Sequence, residues 1–87
     1  MRIKQGFVLR EVAGQAVVVP TGEASRDFNG MVKLNETGRA VWEGLAAGKD
    51  DAQIAQGLAQ AYDVSVEQAA ADVASFVETA RRRGFLA

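Results

Sequence analysis

The chain has 87 residues, a formal net charge of −1, and neither histidine nor cysteine. Those absences remove the usual general base near neutral pH, the commonest metal ligand, thiolate nucleophiles, disulfides, structural zinc and iron–sulfur clusters. The charge balance argues against a phosphate-neutralising surface, and no apolar run approaches the roughly 20 residues that span a bilayer. A small soluble, cytoplasmic protein forming a single domain over 1–87 is expected, with no nucleic-acid or membrane partner.

The sequence changes character near Asn35, from β-branched and aromatic residues to alanine and long polar side chains at helical spacing. Phe7 to Val12 reads as a strand, Ala13-Gly14 as a turn, and Ala16 to Val19 as the partner strand, ended by Pro20. Thr21 to Asp27 reads as a polar loop. Phe28, Asn29, Gly30, Met31, Val32, Lys33 and Leu34 read as a third strand, with a bend or bulge at Asn29-Gly30. Its alternation puts Met31 and Lys33 on one face and Val32 and Leu34 on the other.

Three helices are expected next. Asn35 caps the first, whose apolar face carries Gly38, Val41, Trp42 and Leu45, and Gly48 stops it. Asp50 and Gln53 form a capping-box pattern for the second, with Ile54, Ala55, Leu58, Ala61 and Tyr62 as its buried stripe. Ser65 and Gln68 form another for the third, which runs to about Arg83 and stops at Gly84. Phe85 and Leu86 follow as apolar anchors. On the third helix Val66, Ala69, Ala70, Val73, Ala74, Phe76, Val77 and Ala80 span an arc of roughly 160°, wider than the ~100° stripe of a simple surface helix. Periodicity leaves two readings open: the whole arc is core, or part of it lines a groove. Together the elements describe an α+β fold, a three-stranded antiparallel sheet followed by three helices, like a winged helix-turn-helix with its wing at the front.

Little in this pattern supports catalysis. Asp50-Asp51 fit a helix N-terminus better than a metal site. The glycines form no phosphate-binding fingerprint. Thr37, Ser65 and Thr79 have no base poised beside them, and Ser65 is explained as a cap. Asp72 borders the apolar arc and is either solvated or placed to meet a basic residue of a partner. Arg81, Arg82 and Arg83 are the one basic run, readable as compensation of the helix dipole or as a docking patch. A winged-helix DNA-binding protein is the alternative function. Yet the start of the third helix, Ser65 to Ala71, carries an acid and three alanines where base-reading side chains are needed. Phe28 and Met31 flank an edge that is either core cover or a site of strand addition.

The run Asp27 to Gly38, then Val41-Trp42-Glu43, Tyr62-Asp63-Val64, Asp72-Val73, Phe76-Val77 and Gly84-Phe85-Leu86, resembles the PqqD-like proteins. These are precursor-peptide recognition elements of ribosomally made, post-translationally modified peptides. The resemblance covers nearly the whole chain and is most specific at Leu34-Asn35-Glu36-Thr37-Gly38 with the following Trp42. It implies a freestanding peptide chaperone without catalysis or cofactor. Such a protein binds the leader region of a precursor as a strand added to Phe28–Leu34, and presents it to a radical S-adenosylmethionine enzyme or a leader protease. Carried over by position, Ala69, Asp72, Val73 and Phe76 of the third helix form the other wall, with Ala70 and Ala74 as the alternative border. Arg81 to Arg83 would meet the enzyme.

Overall fold

The computed structural model describes residues 2–22, 26 and 31–87. Strands β1 (Phe7–Val12) and β2 (Gln15–Pro20) pair antiparallel from Phe7↔Pro20 to Val12↔Gln15. Ala13 and Gly14 turn the hairpin with φ of 52° and 78°. Two successive positive φ values are those of a type I′ turn, whose twist matches the flanking strands. The sheet order is β1-β2-β3.

The third strand is shorter than its sequence pattern implies. Only Val32–Leu34 form β3, paired antiparallel with β2 through Ala16↔Leu34, Val17↔Lys33 and Val18↔Val32. Met31 lies outside the ladder and is exposed, while Phe28, Asn29 and Gly30 lie outside the described residues. Of the expected loop from Thr21 to Asp27, Arg26 is helical rather than loop, and Glu23–Ser25 and Asp27 lie outside the described residues.

The helices are α1 (Glu36–Ala46), α2 (Asp51–Tyr62) and α3 (Val66–Arg82). The Asn35 side chain accepts from the Gly38 amide at 2.8 Å, and Asp50 and Gln53 exchange both bonds of a capping box. Ser65 makes only half of its expected box. It accepts from the Gln68 amide at 3.0 Å, but the Gln68 side chain donates to Asp72 instead. Asp63, at φ 54°, turns the chain from α2 into α3, a left-handed conformation that Asp tolerates.

The core divides into two connected clusters. Val41 and Leu45 of α1 meet Ile54, Ala55 and Leu58 of α2 and Ala69, Val73 and Val77 of α3. Ala16, Val18 and Leu34 of the sheet meet Trp42, Ala80 and Phe85. Phe85 joins the layers, edge-on to Trp42 at 5.6 Å and to Phe7 at 5.0 Å between ring centroids. The residues after α3 also pair with the start of the chain: Ile3 bridges Leu86, and Lys4 N–H donates to the Phe85 carbonyl at 2.6 Å. Two expected members of the α2 stripe are not core. Ala61 and Tyr62 are exposed, because α3 departs from α2 at Asp63 and leaves the last turn uncovered. No buried polar or charged residue occurs among the described residues.

Two glycines test how closely the helices approach. A Cβ at Gly44 of α1 would lie 2.7 Å from Cγ1 of the buried Ile54 of α2, whereas one at Gly57 meets nothing within 4 Å. Overpacking costs about 1–3 kcal/mol, and the helix-propensity gain of Gly→Ala is about 1 kcal/mol. Gly44→Ala is therefore expected to lower the urea midpoint and Gly57→Ala to raise it. Equal gains at both positions would show that α1 and α2 are not in close contact.

Candidate functional site

Hydrogen-bond phase decides which edge groups of the sheet are available. Thr21 N–H donates to the Gly6 carbonyl at 2.6 Å, one step beyond Phe7↔Pro20. Bonded and non-bonded pairs alternate in an antiparallel ladder. Val8↔Val19, Arg10↔Val17 and Val12↔Gln15 are thus the bonded pairs of the hairpin, and Pro20 falls where no bond to β1 is required. The intervening residues Ala16 and Val18 turn their backbone groups to β3, so Leu34 and Val32 turn theirs back. Lys33, between them, directs its N–H and C=O away from β2, over the open edge. The Gln15 side chain holds the end of β3 in place, donating to the Leu34 carbonyl at 2.7 Å.

That edge borders a groove of about 580 Å³. One wall is Val32, Lys33 and Leu34. The other is a stripe at helical spacing along α3 and its C-cap: Asp72, Ser75, Phe76, Thr79 and Arg83. Val41, Ala80 and Phe85 supply apolar floor, and all three are nearly fully buried. Gly38 lets the walls converge at one end. A Cβ there would stand 3.4 Å from the Phe76 ring and 3.5 Å from Leu34 Cβ.

Of the expected helix residues, Asp72 and Phe76 line this groove, while Ala69 and Val73 do not. The last two are 0% and 1% exposed and pack against α1 and α2. The wide apolar arc is thus neither all core nor all groove: Ala69, Val73, Val77 and Ala80 are buried, and Val66, Ala70 and Ala74 face solvent on the side away from β3. Sequence reasoning missed Ser75, Thr79 and Arg83 as groove residues. Their spacing from Asp72 and Phe76 was the available signal, but polar residues beside an apolar arc also describe an ordinary solvated face. Arg81 and Arg82 are exposed, and Arg82 lies 4.0 Å from Glu78. At 100° per residue Arg81 turns away from the face that Arg83 presents to the groove, while Arg82, seven residues after Ser75, borders that face without lining the groove.

The groove's hydroxyls, Thr37, Ser75 and Thr79, share it with one carboxylate, Asp72, the cations Lys33 and Arg83, and apolar side chains. No group of three or more metal-ligating side chains is clustered among the described residues. Among those residues no helix is long and apolar enough to cross a membrane. What the arrangement offers is main-chain hydrogen bonding beside an apolar trough.

Comparison with known proteins agrees with this architecture. Two solved structures have the same fold. "Lasso peptide synthetase B1 complexed with the leader peptide" is 21% identical, with a TM-score of 0.80 over 99% of this chain and 95% of that one. "TbiB1 in Complex with the TbiA(beta) Leader Peptide" is 19% identical, with a TM-score of 0.80 over 99% of this chain and 94% of that one. No curated protein matches the sequence significantly. Residues 8–86 match the family described as Coenzyme PQQ synthesis protein D (PqqD). The chain belongs to the PqqD family.

Proposed function

We propose that this protein is a non-catalytic, cytoplasmic recognition module, a single domain that captures the leader region of a precursor peptide and presents it to a maturation enzyme. The observation that carries this reading is the outward-facing amide pair of Lys33 above an apolar trough. An added strand takes its main-chain bonds from such an edge and its selectivity from the flanking pockets. Val32 and Lys33 with Met31 form one wall of the capture site, and Asp72 and Phe76 with Thr79 the other. The two structural relatives are complexes with leader peptides, which favours this occupant over others. The enzyme, a radical S-adenosylmethionine enzyme or a leader protease, would contact Arg81 and Arg82, which lie outside the groove. DNA reading is disfavoured: the exposed first turns of α3, including Val66, Glu67 and Ala70, carry no cation.

Three expected outcomes follow from this assignment. Titration with the leader of a precursor encoded beside the gene should shift, and protect from exchange, the Lys33 amide above all. Its neighbours in β3 and the groove stripe of α3 should follow. Largest shifts elsewhere would sink the site.

Proline separates the free edge from the paired one. Lys33→Pro removes a donor the native ladder does not use, so the fold should survive while leader affinity falls at least roughly tenfold. Val32→Pro removes a ladder donor and should cost about 1–3 kcal/mol in denaturant unfolding. Unchanged leader binding by Lys33→Pro would refute strand addition.

Reversing Arg81 and Arg82 to Glu should leave leader affinity within a small factor of wild type. The same change should weaken association with the maturation enzyme, read by calorimetry. Equal loss in both assays would place the arginines in the leader site instead.

A further inference from the structure

The groove carries opposite charges at its two ends, and the ends can be assigned. At the Leu34 end, Gly38 abuts both Leu34 and Phe76. Tyr62, at the close of α2 next to the start of α3, donates from its hydroxyl to the Glu36 carbonyl at 3.5 Å. The N-terminal part of α3, and with it Asp72, therefore lies beside Leu34 and the start of α1. Glu36 adds a second carboxylate at this end.

At the Val32 end, Phe85 packs edge-on against Phe7, whose partner Pro20 lies beyond the Val18↔Val32 pair. Arg83, two residues before Phe85, lies here. The backbone of Lys4 is bonded here too, through its amide to the Phe85 carbonyl. Asp72 and Arg83 are thus separated along the trough by about 16 Å, the rise of eleven helical residues. That is the length of about five extended residues.

Both charges are available to a ligand. Asp72 accepts from Gln68 through Oδ1 at 3.0 Å, which leaves Oδ2. Arg83 makes no ion pair among the described residues. The sheet is wholly antiparallel, and an antiparallel partner is the more stable addition to its edge. A strand running antiparallel to β3 enters at the Leu34 end, passes Asp72 first and leaves past Arg83.

Building on the leader-binding reading above, we propose that this groove selects the charge order of its ligand. The preferred segment carries a basic residue, then apolar side chains for the floor at Phe76, Val41 and Phe85, then an acidic residue about four or six positions after the base, an even spacing that turns both charges to the α3 wall. Lys33 serves the bond pattern through its main chain, while its side chain projects from the outer face of the sheet beside Val17. Strand addition alone supplies no such direction, because main-chain bonds are indifferent to side-chain charge. Asp72 and Arg83 would set the direction and register of the leader, and so which end of the precursor emerges at the basic end of the domain.

A random display library of extended peptides of about 12 residues, selected in parallel on wild type and on the Asp72→Arg, Arg83→Glu double variant, tests this. The expected wild-type selection is base before acid, roughly tenfold over the reverse order at low salt and shrinking as salt rises. The double variant should select the opposite order. If the exchange unfolds the protein, Asp72→Asn should relax only the basic preference and Arg83→Gln only the acidic one. Enriched peptides whose charge order is random, reversed in wild type, or unmoved by the substitutions overturn the charge-order proposal and leave peptide capture standing. Failure to enrich any peptide on wild type overturns both.

Discussion

The two-residue turn at Ala13-Gly14 sets a single phase along β2, and two otherwise separate properties follow from it. Residues that bond to β1 point their side chains to one face of the sheet; those that bond to β3 point theirs to the other. Ala16 and Val18 consequently meet Trp42 and Phe85 and fasten β3, while Val17, buried on the opposite face, and its neighbours Gln15 and Val19 fasten β1. The same parity buries Leu34 and turns the amide groups of Lys33 outward. A slip of one residue would exchange the two faces and take Ala16 and Val18 away from Trp42 and Phe85. The unpaired edge is therefore tied to the burial of the core: it cannot be moved along β3 without taking the apolar face with it.

The other wall of the groove depends on Phe85. Gly84, at φ 81°, ends α3 and turns the chain so that Phe85 packs against Trp42 and Phe7. Burying a side chain of this size is worth about 1.5–3 kcal/mol, and each edge-on aromatic contact about 0.5–1.5 kcal/mol more. This anchor holds the C-terminal end of α3 to the sheet, while Gly38, Phe76 and Leu34 close the trough where α3 meets α1. Between the two contacts α3 stands clear of β3. Its buried stripe, Ala69, Val73, Val77 and Ala80, supports the helices and sheet below. The adjacent stripe from Asp72 to Arg83 overlooks the trough. One helix thus serves as core and as binding wall through neighbouring faces, and small residues on the buried face allow the close packing that holds the other in place.

Glutamate, arginine and lysine on the outside of this frame contribute little to holding it. Arg39 reaches Glu11 of β1 at 2.8 Å and Glu43 of its own helix at 3.4 Å, and the Glu11 hydrogen bond raises the Arg39 pKa from its ordinary value. All three side chains are well exposed, so the link orients α1 against β1 more than it stabilises it. Stability resides in the apolar clusters. That leaves Asp72, Lys33 and Arg83 at liberty to vary with the ligand without loss of the fold.

The two hairpin strands and their turn, the three helices, the caps at Asn35 and Asp50, the stops at Gly48 and Gly84 and the anchors Phe85 and Leu86 were legible in the sequence, because each depends on nearest neighbours or on a period of two or 3.6. So was the absence of histidine and cysteine chemistry, and the family pattern itself. The length of β3, the solvation of Ala61 and Tyr62, and the division of the α3 arc were decided only in three dimensions. A helical wheel states which residues share a face; it does not state what stands opposite. Ala69 and Val73 became core because α1 and α2 cover them, and Ser75, Thr79 and Arg83 became groove because β3 stops short of them. The sequence by itself determined that this chain has an edge strand and a helix able to flank it. Only the packing of α3 across α1, held at its far end by Phe85, decided which residues face one another across the space between.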